Sequence, residues 1–313
     1  MERANNSEFA FSGERQKNPS EKLKVALARI AEAVNKTAAE SGLRNLLKPD
    51  CSLDMDGYAL SKGGIYKDAD VALDQAKVKK LEKEFSGANS PGTQNHYKTQ
   101  YGIATPEGIV ERWKQNKARD KNGQMEMATM VMLHKMLKDR YIVVRTAELD
   151  DFEHGADNII IDIQTGAAVA AYDEVHESGS GERLGLKQKR ILDVAKWNGA
   201  TIRYGLSVNH RKLQRSSVRN VPLFYLALDS GDLKELLENM DFDPDSAPTP
   251  AERKMFGKLV ESLREQKQMM DNAGLPAWFK KKITAFGLAL DQLEKSGAAP
   301  SRAAAAEALA GAA

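Results

Sequence analysis

The sequence predicts an α/β (α+β) protein with a mixed central sheet of about four to five strands, flanked by helices and with helical N- and C-terminal extensions. Short runs rich in β-branched and aliphatic residues are typical of strands in a buried sheet. Longer runs with apolar residues every three or four positions are typical of helices that pack on such a sheet. Both kinds of run occur in the middle of the chain, and helix-like runs alone occur at its ends.

The strands are predicted where apolar side chains are dense and turn residues follow. The runs that meet this description are 141–147, 158–163, 168–175, 201–208 and 222–228. Gln164, Thr165 and Gly166 supply the turn between the second and third runs, so these two strands are expected to form an antiparallel hairpin. The stretch 148–157 is predicted to be an acidic loop, and the stretch 210–219 a basic loop.

The helices are predicted from apolar spacing and from start signals such as a proline followed by serine and glutamate. They cover about 21–40, 69–85, 107–118, 124–138, 183–197, 231–240, 252–273 and 276–296. In the methionine-rich helix at 124–138, Glu126 shares one face with Met130 and Leu133. Glu126 therefore either lies at the helix start because the helix dipole favours an anion there, or points into a cluster of acids.

These elements divide the chain into six segments. The predicted segments are a disordered tail at 1–20, a mostly helical N-terminal region at 21–122, a core at 123–240, a linker at 241–250, C-terminal helices at 251–296 and an alanine-rich tail at 297–313. The first tail is predicted from its polar composition and the second from its low complexity.

The composition excludes several classes of protein. Cys51 is the only cysteine, so neither a disulfide framework nor a cysteine-based zinc cluster can form within one chain. No run approaches the length of a membrane-spanning helix, and no apolar signal-peptide segment is present at the N-terminus. We therefore expect a cytoplasmic protein without a membrane partner. The net charge of +2 carries no information about other partners.

Acidic residues collect at one end of the predicted hairpin. Asp157 immediately precedes the first strand, and Asp173 and Glu174 lie near the end of the second. Because an antiparallel hairpin brings these two ends side by side, we expect two or three carboxylates to converge at the edge of the sheet. Converging carboxylates repel one another, and a divalent cation with oxygen ligands is the usual compensation.

Charge is segregated along the chain. Residues 139–182 contain eleven acidic side chains against two arginines, whereas residues 183–220 contain ten basic side chains against Asp193 alone. The first block is suited to cations and the second to phosphates. The residues of the second block that we predict to contact nucleic acid are Arg183, Lys189, Arg190, Arg211, Lys212 and Arg215.

The region 124–228 combines the order helix, strand, strand, strand, helix, strand with acids beside the second and third strands. Asp157 lies in the stretch HGADNIII, Asp173 opens the stretch DEV, and Glu126 lies on the first helix. This combination resembles the PD-(D/E)XK nuclease-like superfamily, which has the restriction-endonuclease-like fold. The resemblance implies that these three acids bind Mg²⁺ or Mn²⁺ and that the protein hydrolyses phosphodiester bonds in DNA or RNA.

The chain departs from this family at the lysine, which would fall where the sequence has Val175. In some members the lysine comes from the following helix instead. Lys187 borders the apolar face of that helix and is the first candidate, Lys189 is the second, and His176 is the third. Lys187 would orient the attacking water or stabilise the developing charge. The catalytic residues that the resemblance implies are Asp157, Asp173, Glu174 and Lys187.

Other interpretations of the same residues are open at this point. Valine in the lysine position favours a catalytically degenerate protein that keeps the fold and binds nucleic acid or acts as a scaffold. A helical partner-binding protein, whose sheet is only structural, would instead carry an apolar patch on its terminal helices. Asp157 is also explained as a turn cap, and Asp150, Asp151 and Glu153 as members of a solvated loop.

Overall fold

The computed structural model describes residues 18–177, 182–210 and 212–298. The strands are β1 (Tyr141–Arg145), β2 (Asn158–Asp162), β3 (Ala168–Glu177), β4 (Ala200–Asn209), β5 (Lys212–Val221) and β6 (Leu223–Asp229). The helices are α1 (Pro19–Glu40), α2 (Asp68–Phe85), α3 (Pro91–Tyr101), α4 (Pro106–Lys117), α5 (Lys121–Leu137), α6 (Glu148–His154), α7 (Glu182–Lys196), α8 (Ser230–Asn239), α9 (Pro250–Asn272) and α10 (Ala277–Ala298).

The central sheet has four strands in the order β1-β2-β3-β6. β1, β2 and β3 form an antiparallel meander, whereas β6 pairs with β3 in the parallel direction. β4 and β5 form a separate two-stranded antiparallel hairpin between α7 and β6 in the chain. The prediction of a mixed sheet flanked by helices, with helices on either side of it in the sequence, is confirmed.

Helix α5 is the most buried helix and positions one side of the site. It packs against α1, β1, β3 and α9, so residues all round its circumference are buried. This surrounding explains the many methionines, because their flexible side chains fill irregular spaces between a helix and several neighbours. Asp120 caps the helix by accepting a hydrogen bond from the Gly123 N–H at 2.8 Å.

The hydrophobic core is continuous from α1 through the central sheet to α9 and α10. The two C-terminal helices therefore pack on the same core as the sheet, although the sequence between 241 and 250 has the composition of a linker. α9 begins with a capping box formed by Thr249 and Glu252, with Pro250 at its first position.

Two predicted loops have regular structure. The stretch 148–157 contains α6, and the stretch 210–219 lies largely in β5. A further helix, α3, lies where the sequence predicts none. α3 has no buried residue, so it carries no apolar stripe that sequence periodicity would detect. β5 alternates exposed and buried positions, and two of its buried positions are Leu213 and Arg215.

The prediction that Asp150 belongs to a solvated loop is wrong. Asp150 is completely buried, and its carboxylate accepts hydrogen bonds from the backbone N–H groups of Arg203 at 2.7 Å and Tyr204 at 3.0 Å. Burial raises the pKa of Asp150 to about 6, although these hydrogen bonds favour the charged form. Asp150 therefore fastens α6 to β4.

Replacing Asp150 by alanine is expected to lower the free energy of unfolding by about 1–3 kcal/mol, because two buried N–H groups lose their acceptor. Urea unfolding followed by circular dichroism measures this change. Glu148→Ala is the matched control, since Glu148 lies in the first turn of the same helix and is partly exposed. Equal stability of the two variants would contradict the fastening role.

The two predicted terminal tails lie almost entirely outside the described residues. The predicted tails at 1–20 and 297–313 lie outside the described residues except for 18–20 and 297–298. In the part of the chain that the structure describes, no helix has both the length and the apolar character that a bilayer span requires.

Candidate functional site

A cleft of about 480 Å³ opens at the end of the β2–β3 hairpin, between α5 and α7. Residues from both helices, from the end of α4 and from the hairpin line it. The lining residues are Lys117, Asp120, Asn122, Glu126, Asp157, Asp173, Glu174, Val175, Leu186, Lys187 and Arg190. Every residue that the sequence predicts to be catalytic or metal-binding therefore lies in one cleft.

Asp157 joins the two strands at the base of the cleft. Gly155 ends α6 in the left-handed region with φ +53, and the chain then turns into β2. The Asp157 N–H donates to the Tyr172 carbonyl at 2.7 Å, and its carboxylate accepts the Glu174 N–H at 2.7 Å. These two bonds fix the Asp157 carboxylate beside β3, as the hairpin register predicts.

Asn158 holds Glu174 in place through one hydrogen bond, and each of the two side chains keeps one oxygen atom that accepts none from the described residues. Asn158 Nδ2 donates to Glu174 Oε1. Glu174 Oε2 and Asn158 Oδ1 are buried and have no hydrogen-bond partner among the described residues. Buried acceptors without a donor are costly, and in native structures they often mark a position that a water or a cation occupies.

Asp173 faces the basic side of the cleft. Its Oδ2 forms an ion pair with Lys187 Nζ, and Arg190 Nη1 lies 3.7 Å from the same oxygen. The resemblance expects a lysine at position 175, where this chain has valine, and Lys187 is the first candidate to replace it. The Lys187 ammonium contacts Asp173, one of the predicted metal ligands. Val175 itself is a buried apolar residue.

Glu126 faces the cleft from α5 and is paired with two cations. Its Oε2 accepts from Arg145 Nη2 at 2.8 Å, and its Oε1 lies 3.8 Å from Lys117 Nζ. Burial opposes the charge of Arg145, but Glu126 and the neighbouring Asp50 and Asp157 raise the pKa of its guanidinium. Arg145 is therefore a fixed positive charge behind the carboxylates.

The carboxylates in the cleft are electrostatically strained. Burial raises the pKa of Asp157, and the charges of Glu126 and Asp173 raise it further. Burial and the charge of Asp157 raise the pKa of Glu174 well above its ordinary value. Burial raises the pKa of Asp173 despite its ion pair with Lys187. Such a cluster favours any ligand that brings positive charge.

The carboxylates of the cleft supply oxygen donors of the kind that divalent cations bind. Among the described residues, no group of three or more His, Cys, Asp and Glu side chains is arranged to hold a metal ion. Arg145 and Lys187 engage Glu126 and Asp173 on opposite sides of the cleft. The free Glu174 Oε2 and the mutual repulsion of the acids nevertheless provide hard oxygen donors in need of positive charge.

The structure separates the residues predicted to contact nucleic acid into two groups. Lys189 and Arg190 lie on α7 beside the cleft, and Lys189 is exposed. Lys212 is exposed at the start of β5, on the separate hairpin. Arg215 is buried under that hairpin, where it donates to the Arg44 carbonyl, so it does not reach the cleft. The side chains of Arg183 and Arg211 lie outside the described residues.

Sequence reasoning missed two residues of the site. Asp151, predicted to be in a solvated loop, points from α6 towards Asp157, and burial together with the Asp157 charge raises the pKa of Asp151 to about 7. Arg145 ends an otherwise apolar strand, and this isolated charge was the signal for it.

Comparison of the chain with protein-family models, with curated proteins and with solved structures finds no match.

Proposed function

We propose that the protein is a divalent-metal-dependent nuclease that hydrolyses phosphodiester bonds in DNA or RNA. The observation that carries the proposal is the convergence of Asp157, Asp173, Glu174 and Lys187 in one cleft. Four side chains, one just before β2, two on β3 and one on α7, come together there although they are separated by as many as thirty positions in the sequence. A merely solvated strand end would not bury its carboxylates or pair one of them with a lysine from another element.

The arrangement of the central sheet supports the resemblance to PD-(D/E)XK nucleases. α5 precedes the antiparallel strands β1, β2 and β3, and α7 leads from β3 towards β6, which pairs in parallel with β3. The β4–β5 hairpin is then an insertion before the last strand. The acids lie at the β2–β3 end of this sheet, where the resemblance expects them.

Asp157, Asp173 and Glu126 would hold Mg²⁺ or Mn²⁺, and Glu174, whose Oε2 accepts no hydrogen bond from the described residues, would join them. When bound, the cation supplies Lewis-acid activation of water and charge neutralisation at phosphorus. Arg145 fixes Glu126 and balances part of the negative charge in the cleft. Asn158 orients the Glu174 carboxylate.

Lys187 is the residue placed to act on the reacting phosphate. Water attacks phosphorus and gives up one proton to the solvent, the bond from phosphorus to the leaving oxygen breaks, and the leaving oxygen takes up one proton from the solvent. Lys187 Nζ has donors beyond the one that Asp173 accepts, so it is able to hold the attacking water or a phosphate oxygen at the same time. Arg190, on the same face of α7, reaches the neighbouring phosphate charge.

A second candidate function is non-catalytic nucleic-acid binding with the same fold. Val175 in the expected lysine position and the ion pair that engages Lys187 with Asp173 favour it. This protein would bind nucleic acid in a salt-dependent way and would leave it intact.

Cleavage of labelled single- and double-stranded DNA and RNA, measured with Mg²⁺, with Mn²⁺ and with EDTA, tests the proposal. We expect cleavage that requires the metal and that Asp173→Asn removes, because this variant loses both a charged donor and the partner of Lys187. Asp139→Asn is the matched control, since Asp139 is exposed at the end of α5. Binding without cleavage would favour the second candidate, and neither binding nor cleavage would refute both.

A further inference from the structure

A second cleft, of about 510 Å³, adjoins the first along helix α7. Leu186 and Arg190 line both clefts, so the two clefts adjoin at these residues of the helix. The second cleft continues along α7 past Lys189 to Trp197, where the chain turns into β4. Positions 186, 190 and 197 follow the spacing of one helical face, which gives the cleft a single continuous wall.

Two apolar side chains on this wall are exposed to solvent. Trp197 is 82% exposed and Leu186 is 70% exposed, which makes them the two most exposed large apolar side chains of the described residues. Both line the second cleft, about 16 Å apart along the helix axis, so Trp197 is the apolar side chain at the far end of this cleft. An indole ring is a suitable platform for a flat aromatic ligand.

The backbone below Trp197 is firmly fixed. The Trp197 N–H donates to the Asp193 carbonyl at 3.1 Å, which completes the last turn of the helix. Asn198 and Gly199 follow with φ +74 and φ +85, and a side chain at Gly199 would collide with the Val221 carbonyl and the ring of Phe279. The backbone that carries the indole ring is therefore held by a tightly packed turn.

The charge around the second cleft favours an anion. Lys189 is exposed and takes part in no ion pair among the described residues, and Arg190 is only loosely paired, at 3.7 Å, with Asp173. Of the acidic residues of this cleft, Glu153 pairs with Lys77, and Asp193 lies 3.7 Å from Lys196. Lys189 is therefore a positive charge without an ion pair among the described residues, and it lies beside an exposed aromatic ring.

We propose that the second cleft binds an unpaired nucleotide of a single-stranded nucleic acid, with its base stacked on Trp197 and its phosphate held by Lys189 and Arg190. This inference rests on the proposed function, since the same strand would continue past Arg190 into the first cleft. A base inside a duplex has no free face for the indole ring, so the geometry selects a single strand. Trp197 lies about 15 Å along the helix axis from Lys187, a distance of a few nucleotides from the reacting phosphate.

Fluorescence polarisation of labelled single-stranded DNA and RNA oligonucleotides in EDTA, where cleavage is suppressed, tests the inference. Trp197→Ala is expected to weaken binding roughly tenfold or more, as for loss of one stacked base, and Trp197→Phe to retain most of the affinity. The oligonucleotide should quench tryptophan emission in the wild-type protein, and most of this quenching should disappear in Trp197→Phe. Leu73→Ala, at a position 69% exposed on α2, is the control and should bind as the wild type does.

Three outcomes would overturn the inference. They are an absence of single-strand binding by the wild-type protein, equal single-strand affinity of wild type and Trp197→Ala, and an equal loss of affinity for a duplex of the same sequence. The cleavage assay is independent of these results. A nuclease whose affinity ignores Trp197 would refute the inference alone, whereas Trp197-dependent binding without cleavage would support the inference and contradict the catalytic proposal.

Discussion

Replacing Asp157 by asparagine is expected to abolish metal-dependent cleavage and at the same time to make the folded protein more stable. Asparagine keeps an oxygen that accepts the Glu174 N–H, so the join between β2 and β3 remains. The substitution removes a buried charge that Glu126 and Asp173 repel. We therefore expect the free energy of unfolding to be higher in Asp157→Asn than in the wild type at neutral pH. The loss of a metal ligand is expected to slow cleavage by about 100-fold or more.

The dependence of the free energy of unfolding on pH tests whether the Asp157 charge destabilises the folded protein. The pKa of Asp157 is raised in the folded state, and so are those of Glu174 and Asp151. At these three groups the folded protein binds more protons than the unfolded chain, so their contribution to the free energy of unfolding falls as the pH rises. The fall starts near the unfolded value of about 4 and, for Asp151, continues to about 7.

Urea unfolding in EDTA at pH 5 and pH 8 measures this fall. We expect it to be smaller in Asp157→Asn than in the wild type, and unchanged in Asp139→Asn. Addition of Mg²⁺ at pH 8 should stabilise the wild type and leave Asp157→Asn unaffected, because a ligand that binds only the folded state raises its stability. A variant that is less stable than the wild type at pH 8 would show that Asp157 is a structural cap and not a strained functional group.

The convergence of the hairpin acids could be predicted because it depends on local rules. The apolar runs fix the two strands, the turn at Gly166 fixes their register, and the register brings Asp157 beside Asp173 and Glu174. The approach of Lys187 followed from its place at the border of an apolar helix face. None of these steps required knowledge of contacts between distant segments.

Asp151 and β5 could not be predicted because distant contacts determine them. α6 is short, and the buried Asp150 carboxylate fastens it to the backbone of β4, fifty positions away in the sequence. β5 is rich in polar residues, and Arg215 on it is buried because it meets Arg44 and Tyr58 of the N-terminal region. The acidic stretch 148–157 and the basic stretch 210–219 both have the composition of loops. Sequence patterns alone therefore assign them as loops.

Replacing Lys135 by methionine is expected to lower the free energy of unfolding by about 3–5 kcal/mol. Lys135 and Glu252 form an ion pair in which both side chains are completely buried, with Nζ–O distances of 2.8 and 3.1 Å. Lys135 also donates to the Asp241 carbonyl at 2.7 Å. Methionine fills a similar volume but leaves the Glu252 charge buried without its partner, so α9 loses its attachment to α5. Chemical unfolding monitored by circular dichroism measures the loss.

The double variant Lys135→Met/Glu252→Gln separates the cost of the unpaired charge from the cost of repacking. Glutamine is neutral and still accepts the Thr249 N–H of the capping box, so we expect it to recover most of the loss. Because Glu126 lies on the same helix, about 13 Å from Lys135 along its axis, the double variant should also keep its cleavage activity. A double variant as unstable as Lys135→Met would show that packing around Lys135, and not the buried charge of Glu252, joins the C-terminal helices to the helix that carries Glu126.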